Sequence, residues 1–79
     1  MYINITVDLS RYQRKTLDLR VSDRQPVKQL IRTVWTIAGI QKAPRSGYWV
    51  RVENKEQMIR GFDILGDKRI SDGDKLTVL

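Results

Sequence analysis

At 79 residues and with 41% apolar and 30% charged side chains, the chain is a globular domain with one small core, burying only about 60% of its unfolded surface. It has no cysteine and no histidine, which excludes disulfides, thiolate nucleophiles, Ser-His pairs and the common zinc ligand sets. The net charge of +6 favours anionic partners, namely nucleic acid, an acidic protein face or the cytoplasmic membrane leaflet.

Strict alternation opens the chain. Ile3, Ile5, Val7 and Leu9 share one face and Tyr2, Asn4, Thr6 and Asp8 the other, the pattern of a half-buried strand. The same opening lacks the basic segment and apolar block of a secretory leader. The polar stretch RYQRK follows, then Leu17, Leu19 and Val21 alternate with polar residues as a second strand. The short connection predicts a β-hairpin. Arg11, Arg14 and Lys15 make its tip basic, and Tyr12 among them suggests contact with phosphates or lipid headgroups. A plain solvated tip is the simpler reading, and the one preferred.

A helix comes next. Pro26 suits its first position, with a cap from Ser22, Asp23 or Gln25. At about 100° per residue, Val27, Leu30, Ile31, Val34 and Ala38 form one stripe, edged by Trp35 and Ile37. Trp35 at that edge reads as the rim of the core. Gly39 fits a left-handed C-terminal position, with Ile40 folding back onto the core.

After the loop QKAPRSG, YWVRV reads as a third strand, with Tyr48, Val50 and Val52 inward and Trp49, Arg51 and Glu53 outward. ENKEQ turns the chain into a short fourth strand, MIRGF. Ile64, Leu65 and Ile70 are expected to plug one end of the core. Asp72-Gly73 is a turn before the last strand, KLTVL, and the spacing of Asp67, Asp72 and Asp74 fits no calcium loop. Without histidine, general acid-base work would fall to carboxylates, lysine or tyrosine, and the nine acidic residues show no catalytic spacing. No enzymatic activity, cofactor, metal or small-molecule substrate is expected.

The order strand, strand, helix, strand, weak strand, strand fits an α+β fold with one helix across one face of a mixed sheet of four to five strands. The compact solution is a β-grasp, or ubiquitin-like, domain spanning residues 1–79. In that fold the last strand lies between the first and third and runs parallel to the first. A strand held on both sides explains a chain that stops at Leu79 without fraying. Ubiquitin-like modifiers act through a flexible Gly-Gly tail, whereas Thr77-Val78-Leu79 carries no glycine, so conjugation is not expected.

The stretches MYINITVDL, LDLRVSDRQPVK, PRSGYWVRVENK and DGDKLTVL, with Trp35 in the helix, together resemble the YukD/EsaB family. These are small ubiquitin-like proteins of the type VII (ESX/WXG100) secretion system of Gram-positive bacteria. The resemblance implies a non-catalytic adaptor in the cytoplasm, recruited to the inner face of the membrane. Its partners would be cytosolic domains of the machine, either the membrane ATPase or other membrane subunits, with self-association left open. The face carrying Trp49 and Arg51, with Arg45 nearby in sequence, is the candidate protein-binding surface. The basic hairpin of Arg11, Arg14 and Lys15 is a secondary candidate. The alternative from another class is a small basic nucleic-acid-binding or regulatory domain, although the interleaved aromatic-basic strand of an RNA-binding sheet is missing. No specific nucleic-acid ligand is therefore expected.

Overall fold

The computed structural model describes every residue except Arg14. Five strands and one helix follow in chain order: β1 (Tyr2–Asp8), β2 (Thr16–Ser22), α1 (Val27–Ala38), β3 (Val50–Val52), β4 (Gln57–Ile59) and β5 (Lys75–Val78). Short 3-10 turns at Glu53–Lys55 and Gly66–Lys68 bracket β4. The sheet order is β2-β1-β5-β3-β4, with β1 and β5 parallel and every other pair antiparallel. The last strand is therefore the middle of the sheet, as the β-grasp arrangement requires.

Period-two patterning sets which face is buried. Ile3, Ile5, Val7, Val21, Val50, Val52, Ile59, Leu76 and Val78 all turn toward the helix, which answers with Val27, Leu30, Ile31 and Val34. Leu65 and Ile70 close one end as expected, while Ile64 is only half-buried. Ala38 and Trp35 pack at the rim of this core and Ile37 lies outside it.

The helix ends behave differently. Gly39 takes the left-handed conformation (φ 67°) and its N–H donates to Trp35 O, with Ile40 N–H donating to the same carbonyl. That is the expected glycine stop. At the other end Pro26 is extended and stands one position before the helix, and no side chain caps it. The expected caps are occupied elsewhere: Ser22 Oγ accepts from Arg24 N–H, and Gln25 Nε2 donates to Ser22 O. The exposed helix N–H groups instead reach main chain, with Val27 N–H donating to Asp63 O and Lys28 N–H to Gly61 O, both at 2.9 Å. A cap supplied by carbonyls more than thirty residues away leaves no local sequence signature.

Two strands are shorter than the alternation suggests. β3 begins at Val50, because Tyr48 sits at positive φ (52°) and breaks the ladder. β4 covers Gln57–Ile59, and Arg60 to Asp63 form a tight turn in which Asp63 N–H donates to Arg60 O and Arg60 N–H to Asp63 Oδ2. Both departures surround the surface described next.

Candidate functional site

The face of the sheet opposite the helix carries the outward residues of all five strands. Over β1, β2 and β5 these are mostly polar: Asn4, Thr6, Asp18, Lys75 and Thr77, with Thr6 Oγ1 donating to Asp18 at 2.7 Å, and with exposed Tyr2 at the edge under Arg20. Over β3 and β4 the character changes. Arg51 stands directly opposite Met58 in the register, and extending that register by one step sets Trp49 beside Arg60. The guanidinium carbon of Arg60 lies 5.2 Å from the centre of the Trp49 ring and 4.5 Å from that of Phe62. Phe62 is 69% exposed and Met58 46%, two of the few large apolar side chains left in water.

Local backbone chemistry builds this patch. Gly47 has a φ of 90°, and a Cβ there would come within 2.8 Å of Trp49 Nε1. Only glycine both adopts that conformation and leaves room for the indole. Gly61 N–H donates to Gly47 O at 3.0 Å, joining the two segments that carry Trp49 and Phe62. The carbonyl of Trp49 accepts from Leu79 N–H, which ties the patch to the end of the central strand. Tyr48, forced the other way, packs against the core with Lys28 Nζ 5.5 Å from its ring centre.

The candidate residues thus separate into two groups. Trp49 and Arg51 belong to this face. Arg45 does not: it lies with Arg11, Tyr12, Lys42, Ala43 and Leu79 around a cleft of about 330 Å³ at the hairpin end of the domain. Lys15 is exposed on the hairpin, and Arg14 falls outside the described residues.

At the hairpin tip Arg11 and Lys15 are exposed, as a solvated tip requires, but Tyr12 is half-buried and departs from that reading. The N–H groups of Tyr12 and Gln13 both bond to Leu9 O, winding the tip into a tight turn. Tyr12 comes back over the domain, edge-on to Trp35 with ring centres 4.7 Å apart. Its hydroxyl donates to Leu79 O (2.7 Å) and accepts from Arg45 N–H (3.0 Å). Trp35 Nε1 in turn donates to Lys42 O at 2.7 Å, so one aromatic pair fastens hairpin, helix, loop and last strand together. Tyr12→Phe keeps the ring contact and loses both hydroxyl bonds. The expected cost is about 1–2 kcal/mol, measured as a lower midpoint in urea with an unchanged slope.

A second cluster was legible only as a turn. Asp74 is 2% exposed, yet charged. Asn54 Nδ2 donates to its Oδ1 at 2.6 Å, Ser71 N–H donates to its Oδ2 at 2.8 Å, and Lys55 Nζ lies 2.9 Å from the same oxygen. Burial raises the Asp74 carboxyl, but the hydrogen bonds from Asn54, Lys55 and Ser71 and the Lys55 charge outweigh it, and its pKa falls below the ordinary aspartate value. Asp72 has a different task, its Oδ1 accepting from Asn4 N–H at 2.7 Å while Gly73 turns the chain at φ 87°. Both carboxylates are thus structural partners of the main chain at the entry to β5. Asp8, at the end of β1, is held low mainly by the Ser10 N–H; burial raises it, and Ser10's side chain and the Lys75 charge lower it further.

Sheet order, single helix and parallel β1–β5 pairing define the class: a ubiquitin-like β-grasp domain. The C-terminal ubiquitin-like domain of mouse tubulin-specific chaperone e superposes with a TM-score of 0.69, covering 99% of this chain and 84% of that one at 15% identity, a likeness of fold alone. The family model described as "WXG100 protein secretion system (Wss), protein YukD" matches residues 2–78. The ESX secretion system protein YukD of Bacillus subtilis (strain 168) is 43% identical over 79 residues, covering 100% of both chains. The chain belongs to the YukD family of WXG100 secretion systems. Among the described residues, no helix is long and apolar enough to cross a membrane.

Proposed function

We propose that this domain is a non-catalytic adaptor of a WXG100 (ESX, type VII) secretion system, held by non-covalent contacts to the cytosolic domains of the machine's membrane components. It would act in the cytoplasm, at the inner face of the membrane. The observation that supports this reading is the apolar and cationic patch of Trp49, Arg51, Met58, Arg60 and Phe62 on a sheet face that is mostly polar elsewhere. Aromatic, methionine and arginine side chains are the residues enriched in the buried centres of protein interfaces. An exposed phenylalanine and methionine contribute nothing to the core of the domain that carries them.

The patch can be tested without unfolding the protein. Met58→Ala with Phe62→Ala changes two exposed side chains, so stability should move by no more than about 0.5 kcal/mol. If the patch carries an interface hot spot, each loss weakens binding by about 2 kcal/mol or more. The expected result is a folded variant that no longer co-purifies with secretion components and no longer supports export of WXG100 substrates. Trp49→Ala with Arg51→Ala should lose the partner too, with some loss of stability, because Trp49 is half-buried. Val50→Ala is the control: it faces the core, and should cost on the order of 2 kcal/mol while a folded fraction still binds. A Met58/Phe62 double variant that keeps both its partner and export would remove this face from consideration.

A further inference from the structure

Arg60 is held by two aromatic rings, where Arg20 on the same face has only the Tyr2 ring at 5.8 Å. The Arg60 guanidinium lies over both the Trp49 and Phe62 rings, which restricts its torsions before any partner arrives. Asp63, three residues on, is already engaged: it accepts the Arg60 main-chain N–H through Oδ2 and faces Lys68 Nζ at 3.9 Å through Oδ1. Among the described residues, no carboxylate pairs with the Arg60 guanidinium and no hydrogen bond uses its donors. A guanidinium stacked by its faces keeps its N–H edge available, and that edge matches a carboxylate in two parallel hydrogen bonds.

We infer that Arg60 is a preorganised carboxylate receptor, and that the docking patch takes a segment of a partner protein carrying a single aspartate or glutamate next to an apolar side chain. The inference rests on the adaptor reading for its biological setting, though not for its chemistry. The carboxylate is gripped by Arg60, and the apolar neighbour lies against exposed Phe62 and Met58. Charge complementarity selects a peptide over a polyphosphate. Glu53 and Glu56 stand with Arg51 and Met58 around a shallow depression on the same edge of the sheet, and would repel a continuous phosphate backbone while sparing a single carboxylate.

The test is a titration of the isotope-labelled full chain with N-acetyl-Glu-Leu-amide, followed by NMR at the Arg60 side-chain Nε–H and the Trp49 indole N–H. The expected result is saturable shifts at both, with a Kd of about 1–10 mM, as suits one charge-assisted fork without the rest of an interface. N-acetyl-Gln-Leu-amide should leave both signals in place. Arg60→Lys keeps the charge and loses the planar fork, so affinity should fall by at least about tenfold; its amide spectrum reports that the fold is retained. Equal responses to the two peptides, equal shifts at Arg51 and Arg60, or an unaffected Arg60→Lys variant would each overturn the proposal. So would a single-stranded oligothymidine that shifts Arg60 at lower concentration than the peptide, since that outcome assigns the site to phosphates. Loss of co-purification in the Met58/Phe62 variant together with a silent Arg60 would leave the adaptor reading standing and refute the receptor alone.

Discussion

Removing Thr77, Val78 and Leu79 should abolish the cooperative unfolding transition altogether. Thr77 pairs with Asp8 on one side and Arg51 on the other, and Val78 pairs with Val50 while its side chain is only 2% exposed. Leu79 supplies an N–H to Trp49 O and a carbonyl to the Tyr12 hydroxyl. Burial of one valine-sized side chain is worth about 1.5–3 kcal/mol, and each ladder or side-chain bond adds roughly 0.5–1.5 kcal/mol. Together these reach the order of the whole stability expected of a small domain, about 5–15 kcal/mol. More than side chains would go: with the end of β5 missing, β3 keeps only Val52 opposite Leu76, and the β3–β4 pair loses most of its tie to β1 and β2. Circular dichroism on heating is sufficient to check this. A truncated chain that melts cooperatively near the temperature of the intact one would show that the strand does not hold the sheet together.

The second large effect belongs to Asp74. Asp74→Ala would leave Asn54 Nδ2 and the Ser71 N–H without their acceptor and Lys55 without its counter-charge. The expected cost at neutral pH is about 3 kcal/mol, the lower end for a broken buried pair, because Lys55 remains partly solvated. For a domain this size that corresponds to a midpoint lowered by roughly 15 °C. The dependence on pH follows from the direction of the shift. The folded-state pKa lies below that of an unfolded aspartate, near 3.9, so the ionised form is favoured by folding. This stabilisation is fully present above about pH 4 and drains away as the pH falls through the lowered folded value. Thermal melts of the two proteins should therefore differ most at neutral pH and converge in acid. Asp8 also titrates low and is intact in both, so it affects the curves equally. A constant gap down to pH 2 would mean that the charge of Asp74 does not matter, only its shape.

The fold was readable because its determinants are periodic and local. Ile3 to Leu9 alternate, Val27 to Val34 recur at helical spacing, and Gly39 marks the stop. Where determinants are distant in sequence the reading failed. The helix N-terminus is capped by carbonyls of Gly61 and Asp63, and Asp74 is buried by grace of Asn54, twenty residues earlier. Tyr12 looked like part of a solvated tip because its partners, Trp35, Arg45 and Leu79, lie across the fold.

The candidate surface was partly legible in the same way. Trp49 and Arg51 could be placed by alternation alone. Arg60 and Phe62 carry a usable signal: in MIRGF, Met58, Arg60 and Phe62 alternate with Ile59 and Gly61, and antiparallel pairing with β3 brings Arg60 to Trp49. Arg45 is near Trp49 in sequence, but the turn at Gly47 and Tyr48 sets it beside the Tyr12–Leu79 cleft and not on the sheet face.

The central claim is that the β3–β4 side of the open sheet face meets the secretion machinery. A photo-crosslinking amino acid placed at Met58 in secreting cells tests this most directly, with the same group placed at Arg32 on the exposed side of the helix for comparison. Irradiation should yield adducts between position 58 and a membrane component of the secretion system, and none from position 32. Adducts from position 32 with none from position 58 would contradict the account and move the binding surface to the helix.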